Sequence, residues 1–215
     1  VRDAATFTAW AASLADAVAE IVAISGKTSR GPHGIDAHTL HVVSAWASLQ
    51  RLVLGQQATI IKNNRIIARP LLLERLELNG ALLSINAMGC QRGIATAIRA
   101  KSADYLLALK DNQSRLADEV RPFFDQPPPG DDGPPVHTTT DADDCKIRTR
   151  HPWLSNDVAW LNTNCRFPGK QRFPDLAAIA IVEHRGKTTT ARRYFLCSAA
   201  LDEQALAAAL TQEFP

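Results

Sequence analysis

The spacing of apolar residues along the chain predicts a series of short elements. Phe7, Trp10, Leu14, Val18 and Ile21 recur at helical intervals, which predicts a helix over about residues 6–19. The apolar, partly β-branched run Ile21-Val22-Ala23-Ile24 follows and reads as a buried strand ending at Ser25. Gly26 to Pro32 reads as a polar turn region. His38 to Ser48 and Arg51 to Ile61 are rich in Val, Leu, Ile and Thr, and the short break at Leu49-Gln50 makes them an antiparallel hairpin. Asn63-Asn64 is placed to cap a helix running through Leu71, Leu72, Arg75 and Leu76, with Pro70 near its first turn. Ala81 to Ile85 reads as a strand ending at Asn86, Gly89 to Ala100 as a helix, Asp104 to Leu109 as a fifth strand and Gln113 to Phe124 as a helix.

The order β-β-β-α-β-α-β-α predicts an α/β fold of ribonuclease-H-like connectivity, a mixed five-stranded sheet with helices. The Pro- and Gly-rich stretch Gln126 to Pro135 cannot hold regular structure and reads as a linker. Beyond it, Cys145 to Arg150, Ala177 to His184 and Thr188 to Cys197 read as strands, the last two flanking a turn at Arg185-Gly186-Lys187. Asp202 caps an Ala/Leu-rich helix to Phe214. The predicted organisation is the end of a helical region (1–20), an α/β core (21–125), a linker (126–143), an inserted β region (144–198) and the start of a further helical part (199–215).

Composition narrows the function classes. The 215 residues are 46% hydrophobic, enough for one sizeable core, and the net charge is +2. With a pI of about 8.4 the chain is only mildly basic, below the range of a dedicated nucleic-acid-binding domain. The four cysteines, Cys90, Cys145, Cys165 and Cys197, show no C-x-x-C pairing, which predicts a reduced, cytoplasmic protein. No apolar run approaches the ~18–20 residues of a membrane span, and no secretion signal is recognisable.

Four segments then carry a resemblance. They are Ile24-Ser25-Gly26-Lys27-Thr28-Ser29-Arg30-Gly31, Ser84-Ile85-Asn86-Ala87-Met88-Gly89-Cys90-Gln91, Tyr105-Leu106-Leu107-Ala108-Leu109-Lys110-Asp111-Asn112-Gln113, and Arg192-Arg193-Tyr194-Phe195. Together they resemble the H-repeat-associated group of insertion-sequence DDE transposases, in the IS4-like superfamily, over nearly the whole chain. The family usually reads I-D-G-K-x-x-R-G, I-D-A-M-G-C-Q and A-L-K-G-N-Q at the first three. The resemblance implies metal-dependent cleavage and transfer of DNA strands at terminal inverted repeats. It also implies two aspartates holding magnesium and a later glutamate, which it places beyond Pro215.

Phosphodiester transfer explains why those residues are needed. Two divalent ions about 3.5–4 Å apart clamp the attacking and leaving oxygens of an in-line displacement. Magnesium calls for hard, anionic oxygen ligands. Here Ser25 stands at the first aspartate position and Asn86 at the second, and neither carries charge. Asp111 replaces the usual Gly, Asn63 and Arg65 stand where Ser and Glu are common, and Arg148 stands where Glu is common. The expectation is a transposase-family protein with no intact catalytic residue and no bound metal. The alternative is a non-catalytic remnant that binds DNA, or that pairs with another copy or an intact transposase.

Lys27 and Arg30 are candidates for DNA phosphate contact, and so are Lys110, Asn112 and Gln113 ahead of a helix. For the latter three, a capped helix start beside the negative Asp111 is the favoured reading. His38 and His41 lie three apart on a predicted strand, on opposite faces, and cannot share a metal. Cys90 reads as a packing residue, and Asp141, Asp143 and Asp144 as a solvated loop.

Overall fold

The computed structural model describes residues 21–29, 40–59, 65–125, 139–143, 146–163, 171–185 and 190–211. The helix expected over 6–19, Arg30, the Asn63-Asn64 cap, the Pro-rich linker and the turn at Gly186-Lys187 lie outside them. The chain divides into two units, Val1–Tyr105 and Leu106–Pro215. The division falls inside the fifth strand.

In the first unit, β1 (Ile21–Ser29), β2 (Leu40–Ala47) and β3 (Leu52–Thr59) form an antiparallel meander. β4 (Leu82–Ile85) lies parallel to β1 on its other side, giving the order β3-β2-β1-β4. A parallel neighbour needs a crossover, and α1 (Arg65–Glu74) supplies it. Val22, Ile24, Val43 and Ala45 are fully buried or nearly so, as are Ala68, Leu72 and Leu73 of α1 and Leu76 just after it. Gly55 of β3 lets α1 approach: a β-carbon there would stand 3.2 Å from the side chains of both Leu72 and Leu76. After β4 comes a 3₁₀ turn, Ala87–Gly89, and then α2 (Arg92–Arg99), which buries Ile94, Ala95 and Ile98. Arg99 pairs with Asp104, and Lys101 Nζ donates to the carbonyls of Glu74 (3.0 Å) and Leu76 (3.3 Å), closing the end of α1.

β5 (Asp104–Leu109) begins in the first unit and continues in the second. Tyr105, Leu106 and Leu107 are all fully buried, the unbroken apolar run of a strand covered on both faces. In the second unit β5 pairs antiparallel with β9 (Thr190–Cys197), Leu106 opposite Cys197 and Leu109 opposite Tyr194. β8 (Ala178–Arg185), β7 (Lys146–Ser155) and β6 (Thr139–Asp143) continue outward in the order β5-β9-β8-β7-β6. The helices are α3 (Ser114–Asp125), α4 (Ala159–Thr163) and α5 (Glu203–Thr211). Asp202 caps α5 as its sequence position predicts, its carboxylate accepting from the Ala205 amide at 2.6 Å.

Several expectations are corrected. The strand predicted to stop at Ser25 runs on to Ser29, because Ser25 to Ser29 pair with Leu40 to Ser44 of β2. Pro70 lies in the middle of α1, not in its first turn, and Pro122 lies inside α3. The residues after β4 form a 3₁₀ turn, so α2 begins at Arg92 instead of Gly89. Asp141 and Asp143 are not in a loop: they belong to β6, in register with Arg148 and Lys146. Within the second unit, β9 of the region expected as an insertion pairs with the Leu106–Leu109 part of β5. The molecule is a mixed α/β protein.

Candidate functional site

The two positions that match the family aspartates are brought together by strand register. In the parallel ladder the last pair is Ile24 opposite Ile85. One residue further along each chain stand Ser25 and Asn86, on neighbouring strands ~4.7–4.9 Å apart. Asn86 is still extended (φ −65°, ψ 167°) before the chain turns into Ala87–Gly89. Both side chains are half-buried. Ser25 is therefore not at a strand end, but at the point where β1 loses its parallel partner and keeps its antiparallel one.

β1 alternates faces, so Ser25 and Lys27 point the same way. Ser25 is opposite Ser44, and Ser44 is opposite Gln56, whose amide donates to the Ser44 hydroxyl at 3.2 Å. This makes a neutral polar row across three strands. Lys27 is exposed two residues along from Ser25 on this face. Its position on a strand, not on a turn, fixes that direction.

Sequence reasoning missed the residue that faces Asn86. Arg69 of α1 is 1% exposed, and its Nη2 donates to Asn86 Oδ1 at 3.1 Å. A guanidinium stays charged at any physiological pH. Gly89 completes the arrangement. A β-carbon there would stand 2.3 Å from Ile85 Cγ2 and 3.3 Å from Arg69 Nε, so the 3₁₀ turn can close over the arginine only without a side chain at 89. Position 69 carried one signal in the sequence, a charged residue among the apolar positions of a helix (Ala68, Leu72, Leu73).

These residues do not fit a divalent metal. A serine hydroxyl and an amide oxygen bring no negative charge, and the amide oxygen is already occupied by a guanidinium. At an effective dielectric of about 20, a unit charge about 4 Å from Arg69 is repelled by about 4 kcal/mol, and a dication by more. Among the described residues, no three His, Cys, Asp or Glu side chains are grouped to hold a metal. His41 is buried, and His38 lies outside the described residues.

Lys110, Asn112 and Gln113 belong to the second unit and are described by themselves. Asp111, Asn112 and Gln113 form a 3₁₀ turn with Lys110 ahead of it, leading into α3. Lys110 and Asn112 are exposed and Gln113 is half-buried. Asp111 Oδ1 accepts from Arg121 Nη2 at 2.6 Å, and that hydrogen bond, with the charge of Arg121, lowers the Asp111 pKa. The carboxylate is thus ionised and tied to α3, where it opposes an approaching phosphate.

Cys90 follows the turn and is fully buried. Burial pushes its thiol from 9.0 to about 12. At a given pH below that range the thiolate population falls about a thousandfold, since each pKa unit is a factor of ten. Thiolate is the reactive form, so burial disfavours attack by Cys90. Native protein treated with a maleimide at pH 8 is expected to leave Cys90 unmodified, as read by peptide mass mapping, until denaturant is added. Rapid labelling of Cys90 in the native state would contradict this burial.

Comparison with known proteins agrees with the resemblance. No family model matches the chain. The chain is 34% identical over 209 residues to an uncharacterized protein from the dhlA 3' region of Xanthobacter autotrophicus, covering 92% of this chain and 67% of that protein. It is 50% identical over 99 residues to "Putative transposase YncI" of Escherichia coli O157:H7, covering 45% of this chain and 25% of that one. It is 42% identical over 101 residues to "H repeat-associated putative transposase YbfD" of Escherichia coli K12, covering 45% of this chain and 39% of that one. Among solved structures, a piggyBac transposase synaptic complex with hairpin DNA aligns with 90% of this chain and 38% of its own, at 8% identity and a TM-score of 0.46. The chain is thus a mixed α/β protein of a transposase family. It belongs to the family of the H-repeat-associated transposases and spans well under half the length of the two named transposases it matches.

Proposed function

We propose that this chain is a ribonuclease-H-like member of a DNA-transposition family that no longer cleaves DNA. Three features support the fold: the antiparallel β1–β2–β3 meander, the parallel β4 beside β1, and the α1 crossover between β3 and β4. One observation carries the loss of cleavage. Ser25 and Asn86 stand side by side where the family's aspartates would meet, and a buried arginine is bonded to the second of them. Strand transfer by the family's route needs two cations held by carboxylates, and this centre offers neutral oxygens and a fixed positive charge.

The test is a nicking assay on duplex DNA carrying terminal repeats, with magnesium or manganese, beside an intact relative. The expected result is no product above a no-protein control. Metal-dependent nicking that a chelator abolishes would overturn the reading.

A second reading is that the chain acts by binding rather than cutting. Lys27, exposed on the same strand face as Ser25, favours it, because an ammonium there can meet a phosphate. DNA would be the partner, and the effect would be interference with an intact transposase. Added chain should then slow an active relative, and Lys27→Ala should weaken that effect.

Among the described residues no helix is long and apolar enough to cross a membrane.

A further inference from the structure

We infer that Arg69 is the resident cation of this centre, and that it would claim a carboxylate restored at position 86 before any divalent metal could. The inference rests on the reading that Ser25 and Asn86 mark the former metal site, and it carries that reading from what is missing to what has taken its place. Three observations support it. The guanidinium is buried at 1% exposure and its Nη2 lies 3.1 Å from Asn86 Oδ1, already within bonding distance of the atom a metal would use. Its backbone is fixed in α1, and the close turn at Gly89, whose α-carbon has no room for a methyl group, lies against its guanidinium. It also sits immediately before Pro70 in a helix whose neighbours Ala68, Leu72 and Leu73 are packed, so its stem has little freedom to swing away.

The consequence follows from hydrogen-bond chemistry. The present contact joins a charged donor to a neutral amide. Changing the amide to a carboxylate turns it into an ion pair with charge on both partners, the shorter and stronger kind. The cost of burying the guanidinium has already been met by the fold, so the new charge recovers attraction that the amide cannot give. A dication approaching the same oxygen would have to displace the guanidinium or tolerate it as a neighbour. Asn86 is therefore the neutral half of a matched pair, and replacing it alone does not rebuild a metal site.

Two readouts test this without relying on activity. Asn86→Asp is expected to raise the melting temperature at pH 7 by about 2–4 °C, the shift that roughly 1 kcal/mol produces in a chain of this size. The gain should disappear in the Arg69→Gln background, as a double-mutant cycle would show. Manganese binding, followed by the loss of the free-ion electron paramagnetic resonance signal, should be at least about tenfold tighter in Ser25→Asp/Asn86→Asp/Arg69→Gln than in Ser25→Asp/Asn86→Asp. Equal manganese binding with and without Arg69 would overturn the proposal, and so would a melting temperature that falls or stays level in Asn86→Asp. If the Arg69→Gln proteins do not fold, the Asn86→Asp melting temperature decides alone. DNA nicking by the unaltered chain would sink the loss of cleavage but would not move either of these readouts.

Discussion

Gly89→Ala is expected to lower the melting temperature by about 2–12 °C. The added methyl would lie 2.3 Å from Ile85 Cγ2, and Ile85 is a fully buried, β-branched residue at the end of β4. Its side chain has few alternative rotamers to retreat into. The other neighbour is Arg69 Nε at 3.3 Å, which belongs to a buried side chain of α1. Overpacking of this kind costs about 1–3 kcal/mol, and each kcal/mol moves the midpoint of a chain this long by about 2–4 °C. Thermal unfolding followed by circular dichroism would measure it. A shift under about 1 °C would mean that the turn relaxes easily and that glycine is not required there. Gly93→Ala is the matched control: nothing lies within 4 Å of a β-carbon at that position, so Gly93→Ala on α2 is expected to be neutral or mildly stabilising.

Arg192→Ala is the second large effect, expected to destabilise the second unit by about 2–3 kcal/mol. Arg192 and Glu183 are directly opposed on β9 and β8, with Nε to Oε2 at 3.1 Å. Glu183 is only 5% exposed, while Arg192 is partly open to solvent. Arg192 also reaches Asp125 at the end of α3, Nη1 to Oδ1 at 2.6 Å, so one guanidinium ties two strands to a helix. Both hydrogen bonds raise the pKa of Arg192, that to Glu183 first. Removing the arginine strips a buried carboxylate of its cation, the costly half of breaking such a pair. Glu183→Gln in the Arg192→Ala background should recover part of the loss, because the buried charge is gone. If the double variant is no more stable than Arg192→Ala alone, the penalty does not come from that charge.

The apolar periodicity made much of the fold legible. β5 was readable to the residue, because an uninterrupted apolar run between a polar turn and Lys110 has one sensible register. The β-branched runs of β2 and β3 identified the hairpin for the same reason. The errors came from reading local composition where partners decide. Gly26-Lys27-Thr28-Ser29 has the make-up of a turn, yet each of these residues is in register with a residue of β2, and the antiparallel ladder holds them extended. Asp141 and Asp143 look like a solvated loop in composition, yet the backbone of β6 is in register with β7 there. The candidate site was half legible. The motif placed Ser25 and Asn86, and the parallel register made them neighbours. Arg69 could not be found that way, since its role depends on how α1 packs against the turn after β4, which no spacing along the chain encodes.

The ladder between β5 and β9 has a consequence for how the protein is made. Its partners, Leu106 with Cys197 and Leu109 with Tyr194, are 85 to 91 positions apart in the chain. At synthesis rates of roughly 5–20 residues per second, β5 leaves the ribosome roughly 5–20 s before the strand that covers its edge. For that interval a largely apolar strand offers its backbone to any other extended segment, the situation that invites misassembly. Nascent chains stalled short of Cys197 should therefore depend most on chaperones, and release past it should end that dependence abruptly.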